Sequence, residues 1–267
     1  MIWLEQFLRA ISWTMTPPPA YGPFHIIYTL SGFFLCGLLA WKMRKVSNRT
    51  IEWTLFGCGL FLSLTEVMKQ FFYYYIMNDH SYAWGDFPFQ LCSIPMYFCL
   101  ITPFVKAGKL KRGMFSFMVL YNLLGGAISF LEPSGLLHGH WFLTIHALMW
   151  HMMLVFIGLL LCFSGQGGQE KSDYLHATAT FLVLCAVAFA LNCFVRYGLG
   201  KEMNMFFVGP GNSPLAVFSN FSQWFGWYVN TPIYMFAVCL GAYIVFTLIY
   251  MLRNHKLPFT VRKKAAC

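Results

Sequence analysis

The sequence predicts an all-α polytopic membrane protein, a bundle of seven transmembrane helices with the N-terminus outside and the C-terminus cytoplasmic. Three observations predict it. Of the 267 residues, 58% are hydrophobic and only 10% are charged, where a soluble domain carries roughly 25% charge. The apolar residues come in runs of about 20 between short polar breaks, the length a helix needs to cross a bilayer. The basic residues are shared unequally between alternate breaks.

Before the first run, Trp3, Leu4, Phe7, Leu8 and Ile11 fall at helical spacing, with Glu5, Gln6, Arg9 and Ser12 between them. Residues 1–15 therefore read as an amphipathic helix lying on the bilayer surface. Met1 to Trp13 lacks the basic start and cleavage site of a signal peptide. Thr16-Pro17-Pro18-Pro19 turns the chain into the transmembrane domain, residues 16–252. Its predicted spans are 24–43, 51–77, 89–105, 113–131, 142–163, 174–196 and 226–252, and residues 253–267 form a basic tail.

Orientation follows from the basic residues. The breaks after odd spans, with the tail, hold 14 of them; the opposite side holds 3, namely Arg9, Arg196 and Lys201. The positive-inside rule then places the N-terminus outside. The net charge of +9 sits in gaps between apolar runs, so it fits anionic headgroups rather than nucleic acid. Membrane lipids are the expected partners and the cell membrane the expected location. The nine cysteines are scattered without a CxxC pair, so no metal site and no cofactor is expected.

Polar residues inside spans carry the functional signal. Glu66 and Lys69 share a face of span two, either as a self-neutralising pair or as part of a polar cavity. Span three opens on Phe87-Pro88-Phe89-Gln90-Leu91-Cys92-Ser93-Ile94-Pro95. Pro88 suits a first helical turn, and Pro95 should kink the helix and free carbonyls near Cys92. His151 lies in span five. His146, five residues earlier, is turned by about 140°, so at most one of the two is expected to face a shared site. His138 and His140 read as exposed loop residues. Asn122, Asn192 and Asn204 complete the polar set, with helix-to-helix hydrogen bonding as the default role. Except for Asn122, these groups fall at a similar depth near the outer ends of their spans, which predicts one cavity opening toward the outer leaflet. Loop 203–214 is too polar to span and too apolar to be free in water. It reads as a lid or re-entrant segment, or as an interfacial loop pinned by aromatics.

Several motifs, in this order, resemble the YwaF-like family of bacterial integral membrane proteins, related to the eukaryotic transmembrane protein 164 acyltransferases. They are Glu66 with Lys69, the run Pro88 to Pro95, His151, Asn192, Met203-Asn204-Met205-Phe206-Phe207 and Thr231-Pro232-Ile233-Tyr234. The resemblance implies a lipid acyltransferase with Cys92 as nucleophile and His151 as base. It also implies a histidine at position 90 and a lysine before Pro210, where this chain has Gln90 and Gly209.

The expected function is therefore acyl transfer between membrane lipids, with Cys92 and His151 catalytic. Glu66, Lys69, Gln90, Asn122, Asn192 and Asn204 are expected to bind substrate. The alternative is a transporter or a lipid- or small-molecule-binding membrane protein built on the Glu66/Lys69 cavity.

Overall fold

The computed structural model describes residues 2–11 and 13–254; most of the basic tail lies outside the described residues. Helices make up most of the described chain, and its one β-type contact is an isolated bridge between Thr14 and His140. Helix α1 is Ile2–Ile11. Helix α2, Pro23–Met43, starts with proline in its first turn, where no backbone donor is lost. Helix α3, Asn48–Phe72, is capped by the Ser47 hydroxyl, which accepts from the Thr50 N–H, and runs on through a π-helical turn, Tyr73–Met77.

The third apolar segment is Leu91–Phe104, with helix α4, Ile94–Ile101, between short 3-10 turns. Helices α5, Lys109–Phe117, and α6, Leu123–Leu131, are one rod joined by a π-helical turn, Met118–Asn122. Helix α7 is Trp141–Phe163. Helix α8, Lys171–Cys193, begins with a reciprocal capping box between Glu170 and Asp173 and ends in a π-helical turn, Phe194–Gly198. Helix α9, Ala216–Phe225, leads into α10, Trp227–Asn254.

Six of these rods are long and apolar enough to cross a membrane; the segment Leu91–Phe104 is shorter. The polytopic all-α fold therefore stands, and the third of the seven predicted spans is the exception in length. The prolines explain it. Pro95 sits in the first turn of α4, and Pro103 lies in the closing 3-10 turn. Helical hydrogen bonding is confined between them. Pro88 lies outside any helix, so the expected kink at Pro95 is instead a helix start, preceded by the 3-10 turn Leu91–Ser93 and an extended Gln90.

Phe117, Met118, Leu120, Tyr121, Leu154, Ile157, Leu160, Leu161 and Phe181 are buried at the centre of the bundle. By contrast, Leu30, Phe34, Leu182, Val183, Phe236 and Leu248 are exposed. Rods so apolar on their outer faces need a hydrocarbon environment. Two close approaches set the frame of the site. A Cβ on Gly59 would lie 2.9 Å from both the Cys99 Cβ and the Leu100 nitrogen, so α3 and α4 pack nearly backbone to backbone. Asn122 donates to the Leu154 carbonyl at 3.3 Å, joining the α5–α6 rod to α7.

The end of the bundle holding the basic loops is pinned by ion pairs. Arg112 makes two parallel bonds to the fully buried Asp173, at 2.5 and 2.7 Å, and Lys111 pairs with Glu52 at 2.5 Å. The opposite end carries the cavity.

Candidate active site

Where α3 ends and α4 and α7 begin, the chain encloses a cavity of about 200 Å³. Glu66, Lys69 and Tyr73 come from α3 and its π-helical turn, and Asp86, Gln90, Cys92 and Ser93 from the segment before α4. His138 comes from the loop after α6, and His146, Trp150 and His151 from α7. Glu66, Lys69, Gln90, Cys92 and His151 thus line one cavity, whereas Asn122, Asn192 and Asn204 are not among its lining residues.

Cys92 lies in the 3-10 turn Leu91–Ser93. Pro95 has no N–H to offer the carbonyls three or four residues before it. The Cys92 carbonyl finds a partner elsewhere: the Trp150 Nε1–H donates to it at 3.0 Å. A proline in α4 thereby ties the cysteine's backbone to α7, one residue from His151.

His151 Nδ1 lies 2.9 Å from the Ala147 carbonyl. A carbonyl only accepts, so Nδ1 carries the hydrogen and Nε2 keeps its lone pair. Such a tautomer can take a proton at Nε2.

Glu66 is held from two sides. Its Oε1 accepts from Gln70 Nε2 at 2.7 Å, and the Lys69 ammonium stands 2.8 Å from Oε2, off the angle of a hydrogen bond. Gln70 also donates to the Asp86 carbonyl at 2.6 Å, drawing the loop 78–90 over α3. The Lys69 ammonium lies 6.0 Å from the centre of the Trp150 ring, near the outer limit of a cation–π contact.

Gln90 touches the cavity, but its amide is committed. Nε2 donates to the Asn204 carbonyl at 3.2 Å, and Oε1 accepts from the Phe206 N–H at 2.8 Å. Asn192 is committed in the same way to Met205: Oδ1 accepts its N–H at 2.7 Å and Nδ2 donates to its carbonyl at 3.0 Å. Asn204 accepts from Gly209 N–H and donates to the Asn212 carbonyl. These three amides fasten the segment around Met205 between α8 and the turn before α4. Met203, Met205, Phe206 and Val208 are buried there. The segment is a wedge in the bundle rather than a cover on the cavity. Phe206 and Phe207 both adopt φ 56°, a left-handed conformation costly for a bulky side chain. Gly209 lies so close that an added Cβ would come within 2.6 Å of the Asn192 amide, which leaves no room for the lysine the family pattern suggests.

Two lining residues, His138 and His146, depart from sequence expectation. His146 and His151 both line the cavity. The lining positions 143, 146, 147, 150 and 151 form one face of α7, with the two histidines at its opposite edges. The 140° step separates them without excluding either. His138 is brought in because its loop folds back: its N–H donates to the Thr144 hydroxyl at 2.8 Å, and Thr14 bridges to His140. Burial pushes the His138 imidazole below its ordinary value, helped by His140 and Lys69. Burial pushes the Asp86 carboxyl up, and Glu66 adds to this, against the Asn78 amide and Lys69. No sequence signal marks these long-range foldings.

Among the described residues no group of three or more His, Cys, Asp or Glu side chains is arranged to hold a metal ion. The site therefore offers a thiol, an imidazole with a free lone pair, an ion pair and an acidic loop around one small chamber. No match to the chain was found among curated proteins or solved structures. The model of the TMEM164 family matches residues 20–258, from before α2 to beyond α10 and across every lining residue of the cavity. This multi-pass membrane protein belongs to the TMEM164 family.

Proposed function

We propose that the chain is a lipid acyltransferase of the cell membrane, its cavity opening to the outer leaflet, with Cys92 as nucleophile and His151 as base. One observation carries this reading. The thiol and the imidazole line the same cavity, and the Ala147 carbonyl sets the tautomer in which His151 Nε2 can accept a proton.

In the first half-reaction Nε2 takes the Cys92 proton, and the thiolate attacks the carbonyl carbon of a phospholipid ester. A C–S bond forms, the tetrahedral intermediate collapses, and the C–O bond breaks. The departing alkoxide takes the proton from His151, leaving a thioester on Cys92 and a lysolipid. The second half-reaction runs the same steps with the hydroxyl of an acceptor lipid, which regenerates the thiol. The steps use no metal and no cofactor.

The chamber's size supports a lipid substrate. About 200 Å³ is below the roughly 300–1,000 Å³ of ordinary small-molecule pockets. It admits an ester and part of a headgroup, and leaves the acyl chains among the helices or in lipid. In this reading Lys69 meets a lipid phosphate; its 2.8 Å contact with Glu66 supports a fixed ammonium.

The test is transfer of a labelled acyl chain from phospholipid to lysolipid by the purified protein in vesicles. Cys92→Ala and His151→Ala should each abolish transfer while the protein keeps its elution profile. Full transfer by Cys92→Ala would sink the reading. It would favour the alternative of a binding or transport site built on Glu66 and Lys69.

A further inference from the structure

We propose that His146 supplies the hydrogen bond that stabilises the oxyanion during acyl transfer; this rests on the acyl-transfer reading above. When the Cys92 thiolate adds to the ester carbon, the carbonyl π electrons move onto oxygen. That charge needs a fixed donor, in most acyl-transfer enzymes one of the largest contributions to rate.

Several amide and indole groups near the cysteine already have partners. Gln90, on the cavity wall, has its amide nitrogen on the Asn204 carbonyl and its oxygen on the Phe206 N–H. Trp150 Nε1–H is occupied by the Cys92 carbonyl. His151 Nδ1 is held by Ala147, and its Nε2 handles the proton.

His146 is different. Its side chain lines the cavity, the residue is only 8% exposed, and neither ring nitrogen has a hydrogen-bond partner among the described residues. Nε2 is sealed from solvent and has no hydrogen-bond partner among the described residues. A neutral imidazole carries one N–H and one lone pair. An N–H on the sealed Nε2 would stay unbonded, so the N–H belongs on Nδ1, the nitrogen left to serve a bound substrate. The ring cannot swing freely, because it stacks on Trp150 with centroids 5.4 Å apart and leans on Phe142 at 6.2 Å. Trp150 in turn holds the Cys92 backbone. One indole thus fixes both the turn that carries the nucleophile and the ring that carries the spare donor. In the proposed step His146 transfers no proton. It donates to the oxyanion while the C–S bond forms, and releases it as the C–O bond breaks.

Alkylation of a thiolate by iodoacetamide builds no oxyanion, whereas acylation by an ester does. The test compares the two on the full-length protein in detergent, using a short-chain p-nitrophenyl ester as the acylating probe. His146→Phe keeps an aromatic ring for the stack and removes the donor. It should slow acylation of Cys92 by about 10²–10³-fold and leave its alkylation within about twofold. His146→Asn returns an N–H near the position of Nδ1 and should recover part of the acylation rate.

Unchanged acylation in His146→Phe overturns the inference. So does an equal fall in acylation and alkylation, which would make His146 a structural support for the cysteine. Cys92→Ala separates this from the wider reading. If it still transfers acyl chains, the acyltransferase proposal itself fails. If it is inactive while His146→Phe is fully active, only the role of His146 fails.

Discussion

Removing Lys69 should cost more stability than removing Glu66, and removing both should cost least. Glu66 is the deeper partner: its side chain is 5% exposed, against 22% for Lys69. In Lys69→Met the carboxylate keeps only the Gln70 amide on Oε1, and the buried Oε2 is left without a partner. Breaking a buried ion pair typically costs about 3–5 kcal/mol. The partial exposure of Lys69 and the retained Gln70 bond lower this to about 2–3 kcal/mol. In Glu66→Gln the stranded ammonium can turn toward the cavity and be hydrated, so the loss falls to about 1 kcal/mol. Glu66→Gln with Lys69→Met leaves no charge behind and should lie within about 1 kcal/mol of the parent protein. The assay is unfolding in mixed micelles by denaturant titration, closed as a double-mutant cycle. Two single losses that simply add in the double variant would refute the reasoning, since they would show that the charges do not depend on one another.

Four further outcomes are expected. Gly59→Ala should destabilise the protein by about 1–3 kcal/mol through overpacking, because the new methyl meets backbone at Leu100; unchanged unfolding would deny the close packing of α3 on α4. Arg112→Ala should cost about 2–4 kcal/mol, since it leaves the fully buried Asp173 carboxylate with only the Gln169 and Glu170 N–H donors; the same unfolding titration reads it. The pH dependence has a definite sign at two loop residues. The depressed His138 contributes stability that is present above its ordinary value of 6.5 and is lost as pH falls toward its lower folded value, so His138→Asn should flatten that acid-side loss. The raised Asp86 acts oppositely: stability falls as pH rises through the carboxyl range above 3.8, and Asp86→Asn should remove that fall. For orientation, tags at the two termini of intact cells should be reachable from outside at the N-terminus alone; an externally labelled C-terminus would reverse the positive-inside assignment.

The rods were readable because a bilayer leaves little choice. A helix must cover about 30 Å of hydrocarbon, and runs such as 142–163 declare themselves; the observed α7 differs by one residue at its start. The segment before α4 was harder. Pro88 and Pro95 read as a first turn and a kink in one long helix, and only the partners of the freed carbonyls reveal the short one. The Trp150-to-Cys92 bond is one such partner, and it spans 58 residues of sequence. Depth along each span groups Glu66, Lys69, Cys92 and His151, which line one cavity, because depth is a one-dimensional property of the sequence. It grouped Asn192 with them too, although that amide faces the Met205 wedge. Azimuth depends on how rods rotate against one another, and no single span encodes it. His138 and His146 escaped for related reasons: one depends on a loop folding back to Thr144, and the other on a cavity wide enough to take in both edges of one helical face.

The most direct test is to look for the covalent intermediate. The purified protein is incubated with a phospholipid carrying a labelled acyl chain, quenched in acid and digested, and the peptide containing Cys92 is weighed. The account predicts that this peptide gains the mass of one acyl chain, that hydroxylamine removes it, and that His151→Ala protein does not form it. Acyl transfer without any adduct on Cys92, or an equal adduct in His151→Ala, would contradict the pairing of this thiol with this imidazole.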